Sequence, residues 1–556
     1  MSAGRIEVVS LFAWLTDPPD DRGIHIASAT IDEWDFTPYP RLAELTWAAA
    51  RRLRQAGVER GDVVVLVRWA SVEFVADFFA TLVLGATPTA VAPPRAFRDR
   101  AAYTAHLERI IRLVGARVLS TSADVAAQLA SLAHAQGCAV VTEIADEPVA
   151  AGTVTPPEVG LIQFSSGSTS APKGIRISFE ALQGQLSTLS QWMQLTPRDR
   201  HVSWMPLHHD MGLVGQLLAP MNRTADVWLM RPDQFVRSPS RWLRRLGEGV
   251  PTGAVTPPFG LAHVVRRVRP ADVAGLDLSN LRFVIVGAER IEDSVLEAFL
   301  RLLEPCGLRR EVLLPSYGLA EATLAVTGTS MHGAYPVLDV DPASLVIGER
   351  VASAMPDSRR LRLVGCGTPL SGMSVRVVDD DGHTVGDDMF GEIEIGGVSL
   401  ADGYIGEDGA EDFAGTLRTG DAGFVRDGQL YVVGRLGESV KQFGAWLFAE
   451  DAERCARNVA NSPQRTVALL GVLEGRNTAA VLVEGGIGDA APAIGQAVVE
   501  GTDGLRVQVY AVPPGTIIRT TSGKLKRQEM WLRLIRGEMG GSMKWDSDPV
   551  TEEMLS

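Results

Sequence analysis

Before residue 300 the chain keeps switching between two hydrophobic periods, and that alternation narrows the possible folds more than any other feature. Leu42, Leu45, Ala49 and Leu53 follow the i, i+3, i+4 spacing of an amphipathic helix, with Gly57 placed to end it. The uninterrupted apolar run 63–67 then reads as a buried strand, a second helix spans about 71–84 up to Gly85, and strand character resumes at 88–91. The strand signal returns at 139–142, 226–230, 252–256 and 281–286. Strands that alternate with helices predict an α/β fold with doubly wound, mostly parallel sheets. Such folds bind ligands outside the carboxyl ends of their strands.

Near residue 360 the texture changes. Short strands at 375–378, 392–395 and 430–433 are separated by Asp381-Gly382 and Asp427-Gly428 turns, the pattern of an antiparallel β subdomain. Beyond Gly434-Arg435 lies a segment of about 120 residues with strands of its own at 466–472 and 478–483, long enough for a small α+β domain. The expected division is a large N-terminal domain, 1–435, carrying the β subdomain at about 360–435, and a small, mobile C-terminal domain, 436–540. The polar, acidic stretch 541–556 reads as a disordered tail. A chain of 556 residues needs more than one core in any case.

Charge and cysteine usage exclude several function classes. A net charge of −14 opposes general nucleic-acid binding and polybasic membrane anchoring, both of which need surplus Lys and Arg. The four cysteines, Cys138, Cys306, Cys366 and Cys455, form no CxxC pair, so neither a zinc ribbon nor a disulfide framework is expected. The N-terminus lacks the basic flank and cleavage site of a signal peptide. The longest apolar region, 78–92, is broken by Gly85, Thr87, Pro88 and Thr89, so no membrane span is expected. A cytoplasmic location follows as the expectation.

Five stretches carry chemistry. Ser165-Ser166-Gly167-Ser168-Thr169-Ser170-Ala171-Pro172-Lys173-Gly174 follows an apolar strand; its small residues let backbone N–H groups converge on an anion, and Lys173 adds charge. The spacing is not that of a Walker loop, and Pro172 opposes the helix that a Ser-x-x-Lys nucleophile needs. A solvated Ser/Gly turn is the alternative. Ser203-Trp204-Met205-Pro206-Leu207-His208-His209-Asp210-Met211-Gly212 is a poor metal cluster, because adjacent histidines do not easily share one ion; His208 reads as structural. Pro315-Ser316-Tyr317-Gly318-Leu319-Ala320-Glu321-Ala322-Thr323 offers an aromatic face, a tight turn and a carboxylate. Leu417-Arg418-Thr419-Gly420-Asp421-Ala422-Gly423 puts a carboxylate in a turn, and Arg519-Thr520-Thr521-Ser522-Gly523-Lys524-Leu525-Lys526-Arg527 is a basic loop. Each of these last three also reads as ordinary turn chemistry when taken alone.

In this order and at these separations the stretches resemble the adenylate-forming superfamily of acyl-CoA ligases, luciferases, adenylation domains and fatty acyl-AMP ligases, over roughly residues 30–530. The fatty acyl-AMP ligase branch is closest, through His209-Asp210-Met211-Gly212, Gly287-Ala288-Glu289-Arg290-Ile291 and Leu363-Val364-Gly365-Cys366-Gly367. The resemblance implies ATP and Mg²⁺ as cofactors and a carboxylic acid as substrate, with the thiol of CoA or of a carrier protein's phosphopantetheine as acceptor. It implies that Ser165, Ser166, Gly167, Ser168, Thr169 and Lys173 hold phosphates, and that Tyr317 and Gly318 meet adenine opposite Gly287, Ala288 and Glu289. Glu321, with Thr169, would hold Mg²⁺, and Asp421 and Arg435 the ribose. His209 would lie by the reacting carboxylate, and Lys524 would bridge that carboxylate and the α-phosphate.

A carboxylate approaching a phosphate brings like charges together, each unit pair at 4 Å costing about 4 kcal/mol at an effective dielectric near 20, which is why cations are required. Family members swing the small domain about a hinge, here at Leu436-Gly437, to bring the loop around Gly444 to a thiol tunnel. Here the usual Gly-Arg-x-Lys/Asp-Asp is replaced by Gly434-Arg435-Leu436-Gly437-Glu438-Ser439, which is expected to lose contacts fixing the hinge. The stretch Phe443-Gly444-Ala445-Trp446-Leu447-Phe448 is unusually apolar, so Trp446 either packs in the small domain or faces the tunnel. Lys441 resembles the acyl-CoA ligase version of this loop. Trp204, Met205, Val227, Trp228 and Met230 suggest an apolar acyl group. The leading function is an ATP-dependent acid–thiol ligase. The alternatives are an enzyme of one half-reaction, or a non-catalytic nucleotide-binding scaffold.

Overall fold

A computed structural model describes residues 11–548 except 31, 95–99, 144–149, 165–171, 461–464, 503 and 520–523. The run 63–67 forms strand Val63–Val67 at the heart of a parallel four-stranded sheet. Its order is Thr87–Ala90, Val63–Val67, Val118–Thr121, Ala139–Val141. Helix Tyr39–Gln55 begins with Pro at its first turn, where a missing N–H costs nothing, and buries Leu42, Ala49 and Leu53. Helix Val72–Val83 starts at Ser71, whose Oγ accepts from the Phe74 amide at 3.2 Å. That helix carries Asp77 fully buried, ion-paired with Arg52 and with Arg68 at 3.1 Å, so the charge is compensated inside the core.

A nine-stranded sheet forms the centre of the molecule. Its middle strands, Leu313–Gly318, Phe283–Val286, Gly253–Thr256, Arg200–Ser203, Asp226–Leu229 and Gly23–Ala27, are parallel, and antiparallel strands close both edges. The chain is therefore α/β with doubly wound, mostly parallel sheets. Trp204, Met205, Val227, Trp228 and Met230 are all part of its buried core, which explains their apolar character without an acyl ligand.

The antiparallel sheet Met373–Val378, Gly391–Gly397, Thr416–Arg426, Gln429–Arg435 packs Phe390, Phe424 and Tyr431 into a separate cluster. Residues beyond Leu436 build a C-terminal lobe around a mixed sheet, Thr466–Leu473, Arg476–Glu484, Arg506–Val512 and Ser542–Asp546. The last of these strands corrects the expectation of disorder after residue 540. Trp545 packs where a Cβ on Gly495 would lie 2.0 Å from its ring, and Asp546 pairs with Arg506 at 3.0 Å. An edge strand with one wet face looks like a polar tail in sequence. Among the described residues no helix is long and apolar enough to cross a membrane.

Candidate active site

The carboxyl ends of the central parallel strands open onto one narrow cavity of about 40 Å³. Strand Gly253–Thr256 supplies Val255, strand Phe283–Val286 supplies Ile285, and strand Leu313–Gly318 supplies Ser316, Tyr317 and Gly318. Helix Phe179–Trp192 contributes Leu189 and Trp192, and the wide π-type turn Met211–Leu218 contributes Met211 and Gly215. Most of this wall is apolar. Ala288, two residues past its strand, also lines it with a φ of +72°, a conformation that a side chain adopts only when its surroundings impose it. Gly318 has no substitute: a Cβ there would lie 1.9 Å from the Leu324 carbonyl oxygen.

Two charged groups face this apolar wall. Asp210 lines the cavity and caps the π-type turn, its Oδ1 accepting from the Met211 amide at 2.7 Å. His209 Nδ1 lies 2.5 Å from that same Oδ1. Burial opposes the charge on Asp210, but His209, Lys524 and the Met211 amide together hold its carboxyl below the usual range. The second charged group is Lys524, which reaches the cavity from the C-terminal lobe. The neighbouring His208 is buried: burial, with His209 nearby, pushes its imidazole down to about 3, and its carbonyl accepts from Gln163 at 2.7 Å.

Tyr317 links the cavity to the antiparallel subdomain. Its hydroxyl donates to Asp421 Oδ2 at 2.8 Å, and Arg435 Nε donates to Asp421 Oδ1 at 3.0 Å. Asp421 and Arg435 stand opposite each other in adjacent strands, so strand pairing itself positions the couple. Burial, then the Asp421 charge, raises the Tyr317 phenol well above its ordinary value, so the hydroxyl remains a donor.

A second polar cluster gathers Glu321, Tyr404 and Lys173. Glu321 Oε1 accepts from the Tyr404 hydroxyl at 2.8 Å, and Lys173 Nζ is 5.2 Å from the Tyr404 ring centroid. Ser165, Ser166, Gly167, Ser168 and Thr169 lie outside the described residues. Glu289 is buried next to Ala288, and burial pushes its carboxyl up against the pull of Lys524, Arg519 and Arg527. Gly287 lies against Ser316, where a Cβ would come within 2.9 Å of its Oγ.

The match to a family model described as AMP-binding enzyme covers residues 16–405. The chain belongs to this family of adenylate-forming acyl ligases. It is 30% identical to a putative acyl-CoA synthetase of Caulobacter vibrioides, over 94% of each protein. It is 29% identical to the medium-chain-fatty-acid–acyl-carrier-protein ligase JamA of Moorena producens, over 90% of each. A solved structure from work on fatty acyl-adenylate ligases of E. coli and L. pneumophila superposes with a TM-score of 0.87. That pair is 28% identical, and the match covers 95% of this chain and 98% of the other.

In this orientation of the lobes Gly444 and Trp446 stand away from the cavity of this adenylate-forming ligase. They belong to the hairpin Ser439–Gln442 and Ala445–Phe448, where the Trp446 amide donates to Leu345 at 2.8 Å and Lys441 lies 4.9 Å over the indole. An apolar hairpin face finds apolar cover on the antiparallel subdomain. The hinge segment carries contacts to the C-terminal lobe: Glu438 pairs with Arg527 at 3.0 Å, and the Gly437 carbonyl accepts from Gln528 at 3.1 Å. Sequence reasoning passed over Asp210, Tyr404 and Trp192 as functional groups. Asp210 stood inside a motif already singled out, but Tyr404 and Trp192 come from distant segments that only the fold brings to the site.

Proposed function

We propose that this ligase condenses an apolar carboxylic acid with ATP to an acyl-adenylate and transfers the acyl group to a thiol, of CoA or of a carrier-protein phosphopantetheine. The observation that carries this reading is Lys524, from the C-terminal lobe, lining a cavity otherwise built by the strand ends of the large lobe. In the first step a carboxylate oxygen attacks the α-phosphorus, and the bond to the bridging oxygen breaks as pyrophosphate leaves. Lys524 offsets the mutual repulsion of carboxylate and phosphate and stabilises charge on the α-phosphate. Asp210 fixes the His209 ring at the cavity mouth. The Tyr317–Asp421–Arg435 set holds the nucleoside, with Asp421 and Arg435 meeting the ribose hydroxyls and the Tyr317 ring meeting adenine beside Ala288. Lys173 and the 165–169 segment hold the outgoing phosphates. In the second step a thiolate sulfur attacks the acyl carbon, and the C–O bond to AMP breaks.

The hard oxygen donor Glu321, oriented by Tyr404, suits Mg²⁺, and the hydroxyl of Thr169, outside the described residues, would be its second oxygen donor. Mg²⁺, when bound, draws charge from the phosphate oxygens. The apolar wall, with Trp192 and Val255, favours an acid with a hydrocarbon body. A second reading, adenylation alone, is favoured by the hairpin that carries Gly444, which is anchored by the Trp446–Leu345 hydrogen bond and by Lys441 on Asp380 at 3.5 Å.

Mass spectrometry of products from a panel of acids with ATP, run with CoA, with a phosphopantetheinylated carrier and with neither, tests the proposal. Acyl-AMP with thioester in one thiol arm supports acid–thiol ligation; acyl-AMP in every arm without thioester supports the second reading; ATP bound without pyrophosphate release for any acid sinks both.

A further inference from the structure

Lys524 lines the cavity from the C-terminal lobe, and a buried ion pair joins the loop beside the cavity wall to that lobe. Arg290 follows Ala288 and Glu289 in the loop that leaves strand Phe283–Val286. Its Nη1 lies 3.0 Å from Asp451 Oδ1 in helix Ala449–Val459, with side-chain exposures of 11% and 10%. The neighbours of Asp451 on that helix, Glu450 and Glu453, hold Arg527 at 3.4 and 3.0 Å. Arg527 starts helix Arg527–Ile535, three residues beyond Lys524. Burial opposes charge on this guanidinium, but Glu453, Glu450 and Glu438 outweigh it and hold it above its ordinary value, so the clamp stays ionised. An ionic chain therefore runs from Arg290 through one helix to the base of the Lys524 loop.

Resting on the reading above, we propose that Arg290 is a positioning residue for adenylation: its pair with Asp451 sets the orientation of the C-terminal lobe that puts Lys524 into the cavity. The pair suits this task. Two charges that lose their partner in a dry interface are strongly disfavoured, whereas both are readily hydrated once the lobes separate. The contact is thus selective for one orientation, because a lone charge in the dry interface is disfavoured, and its two groups are hydrated in another.

The test uses the full chain and four variants, Arg290→Ala, Arg290→Lys, Asp451→Ala and the charge exchange R290D/D451R, with Lys524→Ala as reference. Pyrophosphate exchange gives kcat and the KM for ATP, and thermal unfolding reports on folding. Each alanine variant is expected to lower kcat about 10²-fold, the penalty of a reacting group displaced by about 1 Å, with the KM for ATP nearly unchanged. Arg290→Lys and the charge exchange should each recover part of that loss, which a variant that had merely failed to fold would not do. Rates of the alanine variants equal to the parent's, a loss carried by the KM for ATP, or no recovery in both the lysine and exchange variants overturns the proposal. If Lys524→Ala still removes activity in that case, only the role of Arg290 falls; if Lys524→Ala retains full exchange, the reading of the site falls with it.

Discussion

Around Tyr317 the supports are strands. Its own strand is flanked by partners on both edges, Asp421 and Arg435 stand in register on a neighbouring sheet, and Gly318 is pressed against the Leu324 carbonyl so closely that no side chain fits. Around Lys524 the supports are long charged side chains: Arg527 on three glutamates and Arg290 on Asp451. Close packing fixes one geometry and resists deformation, because any shift opens voids or clashes. Of these pairs Arg290–Asp451 is the one that joins the two lobes, and such a contact comes apart without leaving a cavity. On the function proposed above, the packed wall keeps one geometry while the lysine arm is the part able to move.

The largest expected effect tests the arm. Lys524→Ala should lower pyrophosphate exchange by about 10²- to 10³-fold, while conversion of a supplied acyl-adenylate to thioester continues. If both steps fall equally, the arm does more than serve the first step and the contrast between the two regions fails. The next effect tests the wall. The Trp192 ring packs where a Cβ on Gly328 would lie 2.2 Å away, and its Nε1 donates to the Thr329 carbonyl at 2.8 Å, so the indole is a fixed boundary of the cavity. Trp192→Ala should move the preferred acid to a longer chain, with kcat/KM ratios between homologues changing about tenfold or more. An unchanged chain-length profile would show that the acyl group lies elsewhere.

The hairpin sharpens the comparison in a third way. Trp446 is half-buried against the subdomain rather than turned to the cavity, so Trp446→Ala should cost about 1–3 kcal/mol of stability, less than a fully buried indole, and leave pyrophosphate exchange near the parent's. Thermal unfolding and the exchange assay run side by side decide this; a large loss of exchange with unchanged unfolding would make the hairpin part of the arm.

The α/β alternation was plain in the sequence because period-2 and period-3.6 patterns are local, and strand Val63–Val67 or helix Val72–Val83 can be read within a dozen residues. The spaced motifs were equally plain, since Asp210, Tyr317, Asp421 and Lys524 each sit in short chemical contexts. What the sequence hid was partnership. Nothing near Trp446 announces Leu345, and nothing near Glu321 announces Tyr404, because those contacts join segments far apart in the chain. The strand Ser542–Asp546 was missed for a related reason: its one buried face depends on Gly495 and Arg506, both contributed by other elements. The apolar run around Trp204 is buried in the large core, as part of it was expected to be.

The two regions also differ in how they meet acid, and here the expected effect is smallest. The central sheet behind the wall contains His201, fully buried on strand Arg200–Ser203, and burial pushes its imidazole down to about 4. In the unfolded chain the same ring binds a proton near pH 6.5. Between those values the unfolded state holds the extra proton, so stability rises with pH and is lost as pH falls through this window, by up to about 1.4 kcal/mol per pH unit from this one group. Above about pH 6.5 the ring is neutral in both states and contributes no slope. His201→Gln should therefore flatten unfolding temperature against pH between about 6.5 and 4 while leaving the profile above that range parallel to the parent's. A slope that survives the substitution intact would show that His201 does not set the protein's sensitivity to acid.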